Sequence, residues 1–477
     1  MSKKSKICML AAVVSVSGCM TIRNARDAQA EYEDLGRDDC AAKPAEKLDL
    51  SAYSLSQLVD FAITNRPSIV RRSLEVEDAR LALRQACADA PLISETPWLS
   101  PRLSVDGGYS AGSESVRFED LSWKTEGGVS AAVNLSIPIY DFGRHSATMR
   151  AREEAVVDAE LQLIGEGFSV FNEVSDAYFS VLEKCALLSV ALTNELEYAM
   201  HLEQIEKRLE AGDAKELDLS RARLDLAQAK EGVVSAQADV VTAGAELQRA
   251  LGIDASRGTC AGIVGYPADP LAFLQRGFPD SDFSVETAFD FARTNSPSMR
   301  ACRSRLRAAS ADVDYAIADL MPEISASVSL SWTDPMWYWH WGVSAVQSLF
   351  QGFRKTTAVD RAVNALRRSA QDVESGELEL SLSLEKAIAA RDTAKKAQDT
   401  AEASLKASRD NLDLIREQFA VGDVTRIEYA EAVSAFAQAM GNRISAFYRR
   451  QRAECALFPL VGVYPVYDEK KLMEEVK

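Results

Sequence analysis

The sequence predicts a mostly α-helical protein with a small β part. One unit of helix, β-hairpin, long helix and helix is written twice in tandem. Three observations predict this. Short motifs recur in the same order at a nearly constant offset. Long stretches carry apolar residues at helical spacing, and two pairs of short segments carry them at every second position. Of the 477 residues, 47% are hydrophobic and 26% charged, so the chain can bury a large core and is not disordered overall. No run approaches the ~20 apolar residues of a spanning helix, which excludes a polytopic helical membrane protein.

The chain starts with an export pattern. Lys3, Lys4 and Lys6 precede the apolar run Ile7 to Val16, which ends in Val16-Ser17-Gly18-Cys19. Small residues before a cysteine resemble the bacterial lipobox, so residues 1–18 read as a lipoprotein signal peptide and Cys19 as the lipidated residue. Met20 follows, which by the same resemblance favours the outer membrane. Residues 19–53 read as a lipidated, extended segment. Export permits disulfides among Cys40, Cys87, Cys185, Cys260, Cys302 and Cys455, but their pairing is not readable from sequence. Cys185 lies on an apolar helical stripe and reads as a small core residue. Cys40 and Cys260 fall in non-helical stretches and could pair.

The repeats set the rest. Residues 54–68 read SLSQLVDFAITNRPS and residues 284–298 read SVETAFDFARTNSPS, an offset of 230. Tyr140…Arg144 recurs as Phe350…Arg354, Gly212-Asp213 as Gly422-Asp423, and Leu251-Gly252-Ile253 as Val461-Gly462-Val463, all at offset 210. The first copy therefore spans 54–253 and the second 284–463, joined by a linker at 254–283 and followed by a tail at 464–477. Each copy opens with a helix from Leu55 or Val285, with Ser54 or Ser284 at the N-cap, running to about Ala90 or Leu320. Each then has a hairpin, a helix of about 66 residues (roughly 100 Å at 1.5 Å per residue), a Gly-Asp turn and a returning helix. Val174, Tyr178, Val181, Cys185, Leu188 and Leu192 step by heptad spacing along the long helix.

Strands are expected at about 101–110 and 128–140, and at about 323–333 and 337–349. Ile324, Ala326, Val328, Leu330 and Trp332 alternate with serines. Trp337, Trp339, Trp341 and Val343 alternate with Tyr338, His340, Gly342 and Ser344. Trp332, Trp337, Trp339 and Trp341 form a membrane aromatic belt on this reading, because tilted membrane strands run about 9–11 residues. Four strands cannot close a barrel and an open edge is not tolerated in lipid, so other copies must complete it.

These openers, with IPIYDFGR and SLFQGFR at the strand-to-helix junctions and RLEAGDAKELDL and QFAVGDVTRIEY at the turns, resemble the TolC-like outer membrane efflux protein family over about residues 54–463. The resemblance implies a homotrimer with a 12-stranded transmembrane β-barrel and a 12-helix α-barrel tunnel. It implies a passive exit duct in the cell outer membrane, serving an inner-membrane pump through a periplasmic adaptor protein. It places a periplasmic gate at Glu428, Glu431 and Phe419, with Asp218 as the acid of the first copy. It places adaptor contacts at Gly212, Asp213, Gly422 and Asp423. Val424 departs from members that carry an arginine there, and the Pro-rich segment of the lipidated drug-efflux branch is missing after Cys19.

Other classes fit less well. No Walker A, GxGxxG or HExxH pattern is present, and no cofactor or metal is expected. His145, His201 and His340 stand apart; His340 reads onto a polar strand face and His201 onto a solvated helix face. The net charge of -17 argues against a nucleic-acid partner. The alternatives are the outer membrane component of a type I secretion system and a non-channel periplasmic coiled-coil or adaptor lipoprotein. The latter leaves the Trp-bearing strands unexplained.

Overall fold

Two helices rather than one open each copy. In the computed structural model, which describes residues 55–91, 102–113, 125–210, 215–253, 285–333, 336–421 and 424–462, α1 is Leu55–Asn65 and α2 is Pro67–Ala88. The second copy repeats this as α5 (Val285–Asn295) and α6 (Pro297–Ala318). A single opening helix was expected, and the prolines overturn it. Each is the first residue of the second helix, where its missing N–H is harmless, and the residue before it is extended. The remaining elements are β1 (Arg102–Ser113), β2 (Thr125–Tyr140), α3 (Arg144–Glu210) and α4 (Glu216–Ala250) in the first copy. The second has β3 (Glu323–Thr333), β4 (Met336–Val346), α7 (Arg354–Val421), α8 (Arg426–Cys455) and α9 (Leu457–Val461). Strand β4 stops at Val346, short of the expected 349, while β1 and β2 extend further into their loop than expected. The leader with Cys19, the caps Ser54 and Ser284, and the 254–283 linker lie outside the described residues, as do Cys40 and Cys260.

The helices α3 and α7 run 67 and 68 residues, about 100 Å each. Their stripe is not the expected heptad. Val174, Tyr178 and Val181 are buried, but Leu188 is half-buried and Leu192 is 47% exposed. The buried line passes instead through Ala186, Val190, His201 and Ile205. Val190 and His201 are eleven residues apart, three turns of an unsupercoiled α-helix, so the face drifts off a seven-residue count.

The copies are fused along α3. Its core holds α1, α2 and α4 of the first copy together with Ile444, Phe447, Tyr448 and Cys455 of α8. Glu154 on α3 accepts from Ser304 and Arg307 of α6, and Glu183 on α3 pairs with Arg452 of α8. A second cluster joins α5, α6, α7 and α9, and a third gathers at the far end of α7 and α8. Gly252 and Gly462 both take φ +77° just past a helix end, tucked against Asn65 and Asn295 of the openers. This explains why the Asn and Gly motifs recur together.

The four strands form one antiparallel sheet in the order β1-β2-β3-β4, so β2 and β3 join the two copies. At each strand-to-helix junction two consecutive residues are left-handed, Phe142-Gly143 and Gly352-Phe353. The recurring FGR and GFR motifs are these turns. In the first, Asp141 then caps α3 by accepting from the His145 backbone N–H at 2.6 Å.

Candidate functional site

Two regions carry the expected functional residues: the sheet face and the far helix ends. Register places Leu103, Val105, Val133, Leu135, Val328, Leu330, Trp332, Trp337, Trp339, Trp341 and Val343 on one face. Trp332 and Trp337 are directly opposite, with ring centroids 6.4 Å apart. Trp339 and Trp341 are 69% and 71% exposed, and no helix is packed along the sheet among the described residues. The other face carries Ser104, Asp106, Asn134, Ser325, Ser329, His340 and Ser344. Asn134 donates to Asp106 at 2.8 Å, and His340 lies opposite Ser329 as expected. Both long edges, β1 and β4, have no partner strand among the described residues. Among the described residues no helix is long and apolar enough to cross a membrane.

At the helix ends the turn residues Gly212, Asp213, Gly422 and Asp423 lie outside the described residues. The flanking side chains are clear. Thr425 caps α8 in a capping box with Glu428. The Thr425 backbone N–H donates to Glu428 Oε2 at 2.9 Å and the Thr425 hydroxyl at 3.0 Å. The Glu428 N–H donates back to the Thr425 hydroxyl. Those bonds, the backbone one foremost, hold the Glu428 carboxyl below the usual glutamate range. Glu428 thus has a local structural role that a shared acidic face did not foresee. Glu431 is exposed one turn on, and Asp218 sits half-buried in the first turn of α4, at the other turn. No described contact brings Asp218 to the α8 acids.

Phe419 is buried at the centre of the third cluster. It stacks on Tyr429 at 4.9 Å, and the Arg208 guanidinium lies 4.8 Å over its ring. His201, from the first copy, packs against both rings. It is 2% exposed, with centroids 5.1 Å from Tyr429 and 5.5 Å from Phe419. The expectation of a solvated His201 is therefore wrong, because α3 does not keep the heptad face that placed it outside. Stepping by eleven from Val190 would have found it. Arg416 of α7 reaches both oxygens of Glu197 on α3 at 3.0 Å, so a salt bridge also ties α7 to α3 near this cluster.

Cys87, Cys185, Cys302 and Cys455 are free thiols. Burial pushes Cys185 and Cys455 up to about 12, so they stay protonated and inert. Cys185 packs against the core as expected.

The family model described as outer membrane efflux protein matches residues 62–253 and 289–463, the two copies. No curated protein sequence matches the chain. Solved structures share the fold. The Campylobacter jejuni CmeC outer membrane channel superposes with a TM-score of 0.74 at 16% identity, over 89% of this chain and 89% of that one. A membrane protein from Pseudomonas aeruginosa gives 0.73 at 22% identity, over 86% and 90%. The open state of the Neisseria gonorrhoeae MtrE outer membrane channel gives 0.69 at 18% identity, over 88% and 94%. With a duplicated helix–hairpin–helix unit matched in both copies, the chain belongs to the outer membrane efflux protein family.

Proposed function

We propose that the protein works as a homotrimer, the outer membrane exit duct of a tripartite efflux system. It conducts substrates passively from an inner-membrane pump and periplasmic adaptor to the exterior. One observation carries this reading: a four-stranded sheet with an apolar face and two edges that are unpaired among the described residues. Exposed strand edges and a Trp-bearing apolar face are unfavourable in water. In lipid the same edges must be closed, because each unpaired backbone group there costs several kcal/mol. Three chains supply twelve strands, joined β4 to β1, with the polar face lining a wet lumen.

On this reading Cys19 carries the lipid anchor and residues 254–283 form an equatorial linker beside the helices. The turns at Gly212-Asp213 and Gly422-Asp423 receive the adaptor. Glu428, Glu431 and Phe419 belong to the periplasmic gate, with Asp218 in the first copy. Three copies would bring the exposed Glu431 and capped Glu428 carboxylates near one axis, favouring cations. Chemical cross-linking of the detergent-solubilised protein tests the assembly. A ladder ending at three chains supports it, and a monomer that needs no detergent once Cys19 is replaced by Ser overturns it.

A further inference from the structure

The joint between the two copies leaves its counterpart open. Helix α6 packs on two long helices, α7 of its own copy and α3 of the first. Helix α2 packs on α3 of its own copy, and among the described residues no second long helix runs along it. The copies are in step here. Helices α2 and α6 have 22 residues each at offset 230, and α3 and α7 align at offset 210. Every contact of the internal joint, α3 with α6, therefore names a pair of positions on α7 and α2. Three ion pairs tie the internal joint: Arg150 to Asp314 at 2.9 Å, Asp158 to Arg305 at 2.9 Å, and Glu154 to Arg307 at 2.6 Å. The first maps onto Asp360 and Arg84, the second onto Arg368 and Glu75. Both mapped pairs are opposite in charge, and in both the signs are exchanged between the helices. The third tie is not repeated, since it maps onto Asn364 and Glu77. Arg84, Asp360 and Arg368 are exposed and form no ion pair among the described residues. Glu75 is shared by Arg71 and Arg72 of its own helix, at 3.8 and 2.6 Å, so its Oε1 is loosely held. The apolar surface agrees. Helix α6 buries Ser304, which donates to the Glu154 carbonyl at 2.8 Å, and Ala311 two turns on. The matching Leu74 and Leu81 of α2 are 52% and 48% exposed.

We propose that the joint between chains repeats the internal joint with its charges exchanged, setting Asp360 on the partner subunit's Arg84 and Arg368 on the partner subunit's Glu75. This rests on the trimeric reading above and adds what fixes the order of the chains. The exchange makes the two joints mutually exclusive. If α3 took a partner's α2, Arg150 would meet the partner subunit's Arg84 and Asp158 the partner subunit's Glu75, like on like. If α7 took a partner's α6, Asp360 would meet the partner subunit's Asp314 and Arg368 the partner subunit's Arg305, again like on like. A first copy is therefore accepted only by a second copy, and the copies alternate around the ring. An exposed ion pair adds little strength, so discrimination against the wrong neighbour is the larger effect. Because α2 and α7 are different surfaces, the contact is head to tail and closes by rotation rather than as a two-fold dimer.

Charge reversal and rescue in the detergent-solubilised full chain test this, read as the temperature at which the cross-linked three-chain species gives way to single chains. Asp360→Arg and Arg84→Asp should each lower that temperature by a few degrees, because each sets like charges in all three joints. The two together restore the pair with its signs reversed and should return the temperature to that of the wild type. Arg368→Glu should likewise lower it. A cysteine pair reads the register without charge. Leu74→Cys with Asn364→Cys occupies the positions of Ser304 and Glu154, where the internal helices approach through a backbone carbonyl. Diamide, which takes up the two thiol hydrogens as the disulfide forms, should link that variant into a three-chain ladder on a denaturing gel. Neither single cysteine variant should form the ladder. A trimer that does not link, or whose combined Asp360→Arg and Arg84→Asp variant is no more stable than the single ones, overturns the exchanged joint and leaves the duct standing. A wild-type chain that is never trimeric overturns both.

Discussion

Glu428 joins two tasks that substitution can separate. Glutamine also completes a capping box, so Glu428→Gln should keep the start of α8 and remove only the charge. Thr425→Ala should remove the cap, at about 1 kcal/mol, and accelerate amide exchange in the first turn of α8. The Glu428 carboxyl is depressed in the folded state, so its cap is fully present above the ordinary value of 4.5. It is lost as pH falls through the lower folded value. Gly462 makes a second residue-scale prediction. Its φ is +77°, and an added Cβ would meet the Asn295 carbonyl oxygen at 2.8 Å. At Gly252 the nearest atom is the Arg66 Cγ, at 3.3 Å. Gly462→Ala should therefore lower the melting temperature more than Gly252→Ala, although both incur about 1–2 kcal/mol for the left-handed backbone. The sequence shows the Thr425-x-x-Glu428 pattern openly, yet reading Glu428 only as one of two acids on a shared face hid its cap. His201 was hidden for another reason: burial depends on which helices pack around α3, and beyond Val181 its buried residues Ala186, Val190 and Ile205 leave the heptad positions.

At the scale of elements, alternation was the most legible feature. A period of two fixes which residues share a face, and the register puts every predicted tryptophan on the same one. The breaks at Pro67 and Pro297 were readable from the same motifs, but the apolar spacing continues across them and suggested one helix. The strand ends were less legible, because the residues flanking β1 and β2 are small and polar and mark no boundary. The two faces of β3 and β4 predict opposite tolerances. Trp341→Lys should impair insertion into lipid vesicles, by about 2–4 kcal/mol if the site lies near the bilayer midplane. Ser329→Lys, on the polar face, should insert nearly as the wild type does. Equal effects of the two would contradict a lipid-facing Trp face.

The whole molecule follows from duplication. Among the described residues a single copy offers two strands and cannot close anything; fusing two copies along α3 makes a four-stranded unit with two open edges. The repeat motifs made this visible, and the number of chains needed came from the family resemblance rather than from any residue. The central claim is that these edges close between copies into a conducting pore, and single-channel recording in a planar bilayer tests it most directly. The wild-type protein should insert as discrete, cation-preferring channels of low conductance. Glu428→Gln combined with Glu431→Gln should conduct more and lose cation preference. A purified trimer that opens no channel, with or without those two substitutions, would contradict the account.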